Sequence, residues 1–321
     1  MKTGENTQHP TSNIQHPIAA PPVRGWRLWL RFIGCWMLDV GCWMFRPRPL
    51  CLALLLASTW LFAQRTARDV RQDSYETPAW KNAPGFEKDV FTFVRIRYAS
   101  AGRSFHIYGP RRRWATDFPD AELNLSYRLQ QMTSMKVDPD CRVIELTDPE
   151  LFRFPFIYIV EPGDLRFSDE EVPILRRYLL NGGFLMVDDF WGDSEWDNFA
   201  GEMRRVFPDR EFADLPRTHP LFHCVFDIPN ELSLQCPNIR TGAMSQHTGV
   251  TWEDNHDGDT QTVHIRGISD DKGRLCVVAC HNTDNGDGWE REGENEYYFR
   301  EFSEKKSYPL GINIVFWSMT H

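Results

Sequence analysis

The stretch from Ser168 to Gly192 limits the possible folds more than any other part of this chain. Ser168 and Glu171 form a capping box, Leu175, Tyr178 and Leu179 an apolar stripe, Asn181-Gly182-Gly183 a stop, and Phe184 to Val187 an unbroken apolar run. A capped helix, a tight turn and a strand apolar at every position make one αβ step of a parallel sheet covered on both faces. The strand runs out on Asp188-Asp189. In open α/β sheets, ligands bind beyond the carboxyl ends of strands, so this acidic pair marks a candidate site. Neighbours on an extended chain point to opposite faces, which leaves one carboxylate for the cleft and one for the turn. The cleft-facing group can act as general base, cation ligand or acceptor for sugar hydroxyls; the competing reading is a cap beside a solvated charge.

The same alternation recurs from residue 89 to 321, and 41% hydrophobic content suffices for one full core. Phe91 to Arg97 reads as a first strand. Asp117 then caps a helix with Pro119 in its first turn and Leu125, Leu129, Met132 and Met135 at helical spacing. Val143 to Leu146 and Phe156 to Val160 are strands, Glu161-Pro-Gly-Asp164 a turn, and Ser194 opens a helix bearing Trp196, Phe199, Met203 and Val206. Further on, Thr262 to Ile268 and Arg274 to Cys280 form a hairpin about Ser269 to Gly273, and a last helix lies around Gly311 to Met319. The expected fold is a three-layer α/β sandwich, mostly parallel, with an antiparallel extension in the C-terminal half.

The N-terminal part is of another kind. Asn6-Thr-Gln-His-Pro10 recurs as Asn13-Ile-Gln-His-Pro17, and Gly34-Cys-Trp-Met37 as Gly41-Cys-Trp-Met44, without the apolar seam of a coiled coil. Residues 1–43 are therefore expected to be a non-native or disordered extension. From Met44, two arginines precede the apolar run Leu50 to Phe62, and Leu61-Phe62-Ala63 resembles a cleavage site, so 44–63 reads as a signal peptide; an uncleaved anchor is the alternative. Residues 64–88 read as a polar linker. An exported, periplasmic or envelope-associated protein follows from this reading. The first 63 residues hold six of the 36 basic and two of the 45 acidic residues, leaving −13 on the remainder, a charge that disfavours nucleic acid. Five cysteines remain, an odd number that argues against a disulfide framework, with Cys224 to Cys236 the one pairing left open. Cys276 and Cys280, four apart in a strand, should fill the core from one face.

The ligand-binding candidates are Asp188, Asp189, Trp191, His219, His281, Asp117 and Glu161. His219 and His281 with Asp189 would make a two-histidine, one-carboxylate metal set, and no cofactor beyond such a divalent ion is expected. The competing reading has His219 bonding its own turn before Pro220 and His281 ending a strand. Asn282 to Gly288 carries a calcium-loop-like composition, but its glycine is one place early and the twelfth-position Glu is missing, so an acidic turn is the reading. Arg111 to Arg113 reads as an exposed basic loop, able at most to hold an anion or a partner. No nucleophile elbow, dinucleotide fingerprint or phosphate loop is present.

Phe93-Val-Arg-Ile-Arg-Tyr98, Trp114-Ala-Thr-Asp117 through Asn124, Ser168 to Gly192 and His281 through Trp289-Glu together resemble the bacterial domain-of-unknown-function family 4159. More distantly, Gly182-Gly183, Thr218-His219-Pro220 and Lys272 to His281 are similar to the class I glutamine amidotransferases and their trehalose-utilisation-type branch. That resemblance implies a flavodoxin-like sheet. It also implies a cysteine nucleophile where this chain holds Asp188-Asp189-Phe190, so glutaminase activity is not expected. What remains is binding of a small polar ligand or an envelope protein partner, with a metal-dependent hydrolase or carbohydrate-active enzyme as the alternative. Relatives of this kind occur beside von Willebrand A-type and MoxR-type proteins, and the resemblance implies such partners.

Overall fold

Among the described residues seven strands, most of them on the apolar runs, form one sheet, and two short two-stranded ladders stand apart from it. The computed structural model describes residues 66–72, 77–86, 89–100, 105–106, 109–110 and 113–321, all within one compact unit; the extension, the signal-like segment and Arg111-Arg112 lie outside them. The strands are β1 (Val94–Ile96), β2 (Arg142–Ile144), β3 (Phe156–Val160), β4 (Phe184–Asp188), β5 (Ala213–Asp214), β6 (His264–Ser269) and β7 (Leu275–His281), in the spatial order β2-β1-β3-β4-β7-β6-β5. The first five are parallel, whereas β6 pairs antiparallel with both β7 and β5. Ranked along the chain, the parallel strands run 2-1-3-4-5, the flavodoxin-like order, whose switch point lies between β1 and β3.

Helices cover both faces. On one side, α1 (Asp120–Met132) and the C-terminal helix α6 (Tyr308–Thr320) bury Leu125, Leu129, Ile312 and Val315 against Phe93, Tyr158 and Met186. On the other, α2 (Glu171–Leu180) and α3 (Gly192–Val206) bury Leu175, Leu179, Phe199 and Met203 against Ile157, Leu185 and Val187. Alternation along β3 and β4 thus feeds two cores, which is why every position of those strands is buried. The capping box closes as its spacing requires: Ser168 N donates to Glu171 Oε2 at 2.7 Å and Glu171 N to Ser168 Oγ at 3.2 Å. At the other end of α2, Gly182 takes φ +109°, a backbone conformation that costs glycine little.

Part of the 64–88 stretch lies against the sheet. Ala67 is fully buried, Trp80 Nε1 donates to Val137 O at 2.9 Å, and Thr77 Oγ1 donates to Asn124 Oδ1 at 2.5 Å. Cys276 and Cys280 do not share a face. Ile268 pairs with Val277 and Ser269 with Leu275, so Cys276 is the extra residue of a β-bulge, and the slip sends it to the opposite core from Cys280. Among the described residues all five cysteines are free, so the Cys224 to Cys236 bridge does not form; Cys236 Sγ lies instead 3.4 Å from Tyr298 Oη. No described helix is long and apolar enough to cross a membrane.

Candidate functional site

The carboxyl ends of β1, β3, β4 and β7 converge on a cavity of about 340 Å³. Each strand delivers side chains to it within a few residues of its end, except β1, whose return to α1 brings Arg113, Thr116 and Asp117. Glu161 follows β3 directly, and Asp189 and Trp191 follow β4. Beyond β7, Asp284 caps α5 (Asn285–Glu290), its Oδ1 accepting from Asp287 N at 2.7 Å, and both carboxylates face the cavity. Helix α4 (Ile239–Thr248) leads into a loop from residue 249 to 263 that adds Glu253 and His256 as the outer wall. Docking of that loop needs Gly192 at φ +73°, because a β-carbon there would run into the carbonyl oxygen of Asp257.

The backbone is strained where the carboxylates turn inward. Asp117, Glu161 and Asp189 take φ of +63°, +45° and +56°, and Asn282 +60°. Non-glycine residues held in this region cluster at functional sites, since the surroundings must over-determine them.

Charge is the dominant property. Seven carboxylates line the cavity against Arg113, His256 and Arg291. Those three cations are committed. Arg113 holds Asp164 at 3.1 Å and Glu195 at 3.0 Å, His256 bridges Glu195 and Glu253 at 3.6 Å each, and Arg291 holds Glu290 at 2.7 Å and Glu294 at 3.2 Å. Burial alone would raise Glu195, but His256 and Arg113 hold its carboxyl down at about 2, while its partners lift His256 to about 9 against burial. The imidazole is therefore a cation at neutral pH. Among the described residues, Asp117, Asp189 and Asp284 have no such ion pair. Burial, and then one another and their acidic neighbours, push all three well above the usual carboxylate range. Their oxygens lie within 4.8 Å of one another. Such an arrangement either takes up protons or binds a cation.

Four of the seven sequence candidates line this cavity: Asp117, Glu161, Asp189 and Trp191. Trp191 is buried and donates from Nε1 to Asp189 Oδ1 at 3.2 Å, orienting that carboxylate. Asp188 lies beneath, its oxygens accepting from Asn285 N at 2.9 Å, Gly286 N at 3.0 Å and Asn285 Nδ2 at 2.7 Å. One aspartate of the pair thus holds helix α5 and the other faces the cavity. Asp117 does not cap α1 through its side chain: the helix begins at Asp120 with Pro119 in the cap position, and only the Asp117 carbonyl accepts, from Ala121 N at 3.0 Å. The positive φ swings its carboxyl into the cavity instead.

The two histidines do not join the carboxylates. His219 Nδ1 accepts from Leu221 N at 3.2 Å, closing the turn before Pro220, and its ring packs on Trp317. His281 is enclosed by Phe190, Trp196 and His264, with Nε2 bonded to Gly192 O at 3.0 Å. Neither lines the cavity, so the two-histidine metal set is not assembled. Burial pushes His281 down to about 4. An unfolded histidine titrates near 6.5, so between pH 6.5 and 4 the unfolded chain takes a proton that the folded one refuses. Stability from this residue therefore falls as pH drops through that window, by about 3 kcal/mol at most. A pH titration of the imidazole by NMR should give a midpoint near 4; one near 6.5 would refute the enclosed ring.

Sequence reasoning set Asp284 and Asp287 aside as an acidic turn, missed Glu195, Glu253, His256 and Arg291, and read Arg113 as exposed although its side chain is only 14% accessible. The signal for Asp284 and Asp287 was Trp289, a large apolar residue within an acidic stretch that turns out to be buried from His281 to Glu290.

Residues 92–319 match the family described as "Domain of unknown function (DUF4159)". The chain belongs to the DUF4159 family. That match spans every strand of the sheet and every residue of the cavity. No curated protein matches the chain in sequence.

Proposed function

We propose that this DUF4159 domain binds a hard divalent cation through Asp117, Asp189 and Asp284 and, with it, a small polar ligand at the strand ends. One observation carries the reading: the buried Asp189 and Asp284 and the half-buried Asp117 converge with no cationic partner of their own. An all-oxygen donor set favours magnesium, calcium or manganese over zinc. Thiol chemistry has no part in it. On the amidotransferase resemblance, Asp188-Asp189-Phe190 stands where a cysteine nucleophile is expected, so ligand binding rather than glutamine hydrolysis is the proposed use of this fold. The signal-like segment 44–63 and the family resemblance extend the proposal to an envelope setting, beside von Willebrand A-type and MoxR-type partners.

A metal-dependent hydrolase is the second reading. It is favoured by His256, a protonated imidazole on the cavity wall that can serve as general acid to a ligand held on the cation.

Thermal unfolding of chelator-treated protein, with and without added Mg²⁺, Ca²⁺ or Mn²⁺, tests the cation. At a hundredfold excess over Kd the stabilisation is about 2.7 kcal/mol, a rise in melting temperature of roughly 5–10 °C for a domain of this size. Protons compete for the same raised carboxylates, so the rise should shrink as pH falls. A melting temperature indifferent to all three ions at neutral pH would remove the proposal.

A further inference from the structure

We infer that the cavity holds two divalent cations bridged by Asp117. The inference rests on the cation reading above and adds a second site to it. Two carboxylate clusters meet the distance requirement for a metal, Asp117 with Asp189 and Asp284, and Asp117 with Asp287 and Glu290, each with its oxygens within 4.8 Å. They share only Asp117. A carboxylate has two oxygens, and bridging is the arrangement by which one residue serves two cations a few ångströms apart.

A second observation points to a ligand there. Asp117 Oδ2 is shut off from solvent and accepts no hydrogen bond. Glu290 is 6% exposed and lies in the same cluster, its Oε2 paired with Arg291 Nε at 2.7 Å. Unsatisfied buried carboxylate oxygens are costly, and native proteins rarely keep them without a use. Gly286 is shaped to the same oxygen: a β-carbon there would collide with Asp117 Oδ2, so the close approach of α5 to Asp117 depends on glycine.

Charge decides between one cation and two. Once cations replace the protons that burial favours on them, the seven lining carboxylates and Glu290 make eight negative charges against Arg113, His256 and Arg291, an excess of five. One divalent ion leaves three uncompensated charges in a buried space. Two leave one, which a cavity partly open to water can carry.

Manganese binding to the full chain tests this. After chelator treatment, equilibrium dialysis against MnCl₂ with metal analysis should give two equivalents per chain, and the bound ions should show the electron paramagnetic resonance spectrum of an exchange-coupled pair. Glu290→Gln should reduce binding to one equivalent and abolish the coupling, and Asp117→Asn should weaken both ions at least 100-fold. Circular dichroism checks folding; if Glu290→Gln unfolds, Glu290→Asp, which keeps the charge and withdraws the carboxylate, should give the same single equivalent. One equivalent in the unsubstituted protein, or two that neither Glu290 variant changes, overturns the bridged pair and leaves the single-cation reading standing. No bound manganese overturns both.

Discussion

Replacing Arg95 by Met is expected to destabilise the fold by about 3–5 kcal/mol and to displace Asp117 from the cavity. Arg95 and Glu122 are both wholly inaccessible and form an ion pair between β1 and α1. The guanidinium also donates from Nη1 to Trp114 O at 2.9 Å and Thr116 O at 2.5 Å, and lies over the Tyr158 ring at 5.2 Å. Removing the arginine leaves a buried carboxylate without its counter-charge and two carbonyls without a donor. The consequence reaches the site because Trp114 and Thr116 lie between Arg113 and Asp117. Two effects can be separated by a double variant. Arg95→Met with Glu122→Leu removes both charges and should recover most of the stability, yet the 113–117 run stays untethered, so the cation response should remain weak. Urea unfolding with and without Mn²⁺ measures both. Full recovery of the cation response in the double variant would show that Arg95 supports only the fold.

Where a structural feature is local in sequence, it was legible. The capping box, the double-glycine stop, the buried runs of β3 and β4 and the β6–β7 hairpin all report on residues fewer than six apart, and each stands where its pattern put it. The site was half legible, for a physical reason. Asp189 and Glu161 were found because a strand end is a local feature with a known place in the sheet. Asp284 and Asp287 were not, because their burial is imposed from outside: Asp188, about a hundred residues earlier, draws the amides of Asn285 and Gly286 inward and turns an acidic stretch into a buried helix. His256 and Glu253 sit on a loop with no periodicity, and residues distant in sequence fix where it docks, through the close approach at Gly192 and the Asn282 amide donating to Asp259 O and Thr262 O. The histidines misled for a related reason. Imidazole satisfies its hydrogen bonds with backbone as readily as with a metal, and spacing cannot distinguish the two.

The adjacent aspartates should therefore answer to substitution in opposite ways. Asp188→Ala deprives two backbone amides, the Asn285 carboxamide and the Tyr158 hydroxyl of their common acceptor. Burial lifts Asp188 to about 7, so above that pH these are hydrogen bonds to a charged acceptor, roughly 1.5–3 kcal/mol each and not fully additive, and a loss of at least about 3 kcal/mol is expected there. Since α5 carries Asp284 and Asp287, the cation response should go with it. Asp189→Asn is nearly isosteric, and the amide oxygen still accepts from Trp191 Nε1. It removes a charge crowded by burial and by Glu161, Glu253 and Asp188, so the metal-free protein should keep its stability or gain. The sign in pH follows from the same shift. A carboxyl whose folded pKa is raised favours folding at low pH and loses that contribution as pH rises through the folded pKa, so the metal-free parent should weaken toward neutral pH more steeply than the Asn variant. Stabilisation by Mn²⁺ should be lost in Asp188→Ala and reduced in Asp189→Asn, which keeps only the Asp117, Asp287 and Glu290 set, but only in Asp188→Ala should the metal-free protein also be weakened. An undiminished Mn²⁺ response in Asp189→Asn would take this carboxylate out of the cation's ligand set, and a metal-free Asp188→Ala as stable as the parent would deny Asp188 its hold on α5.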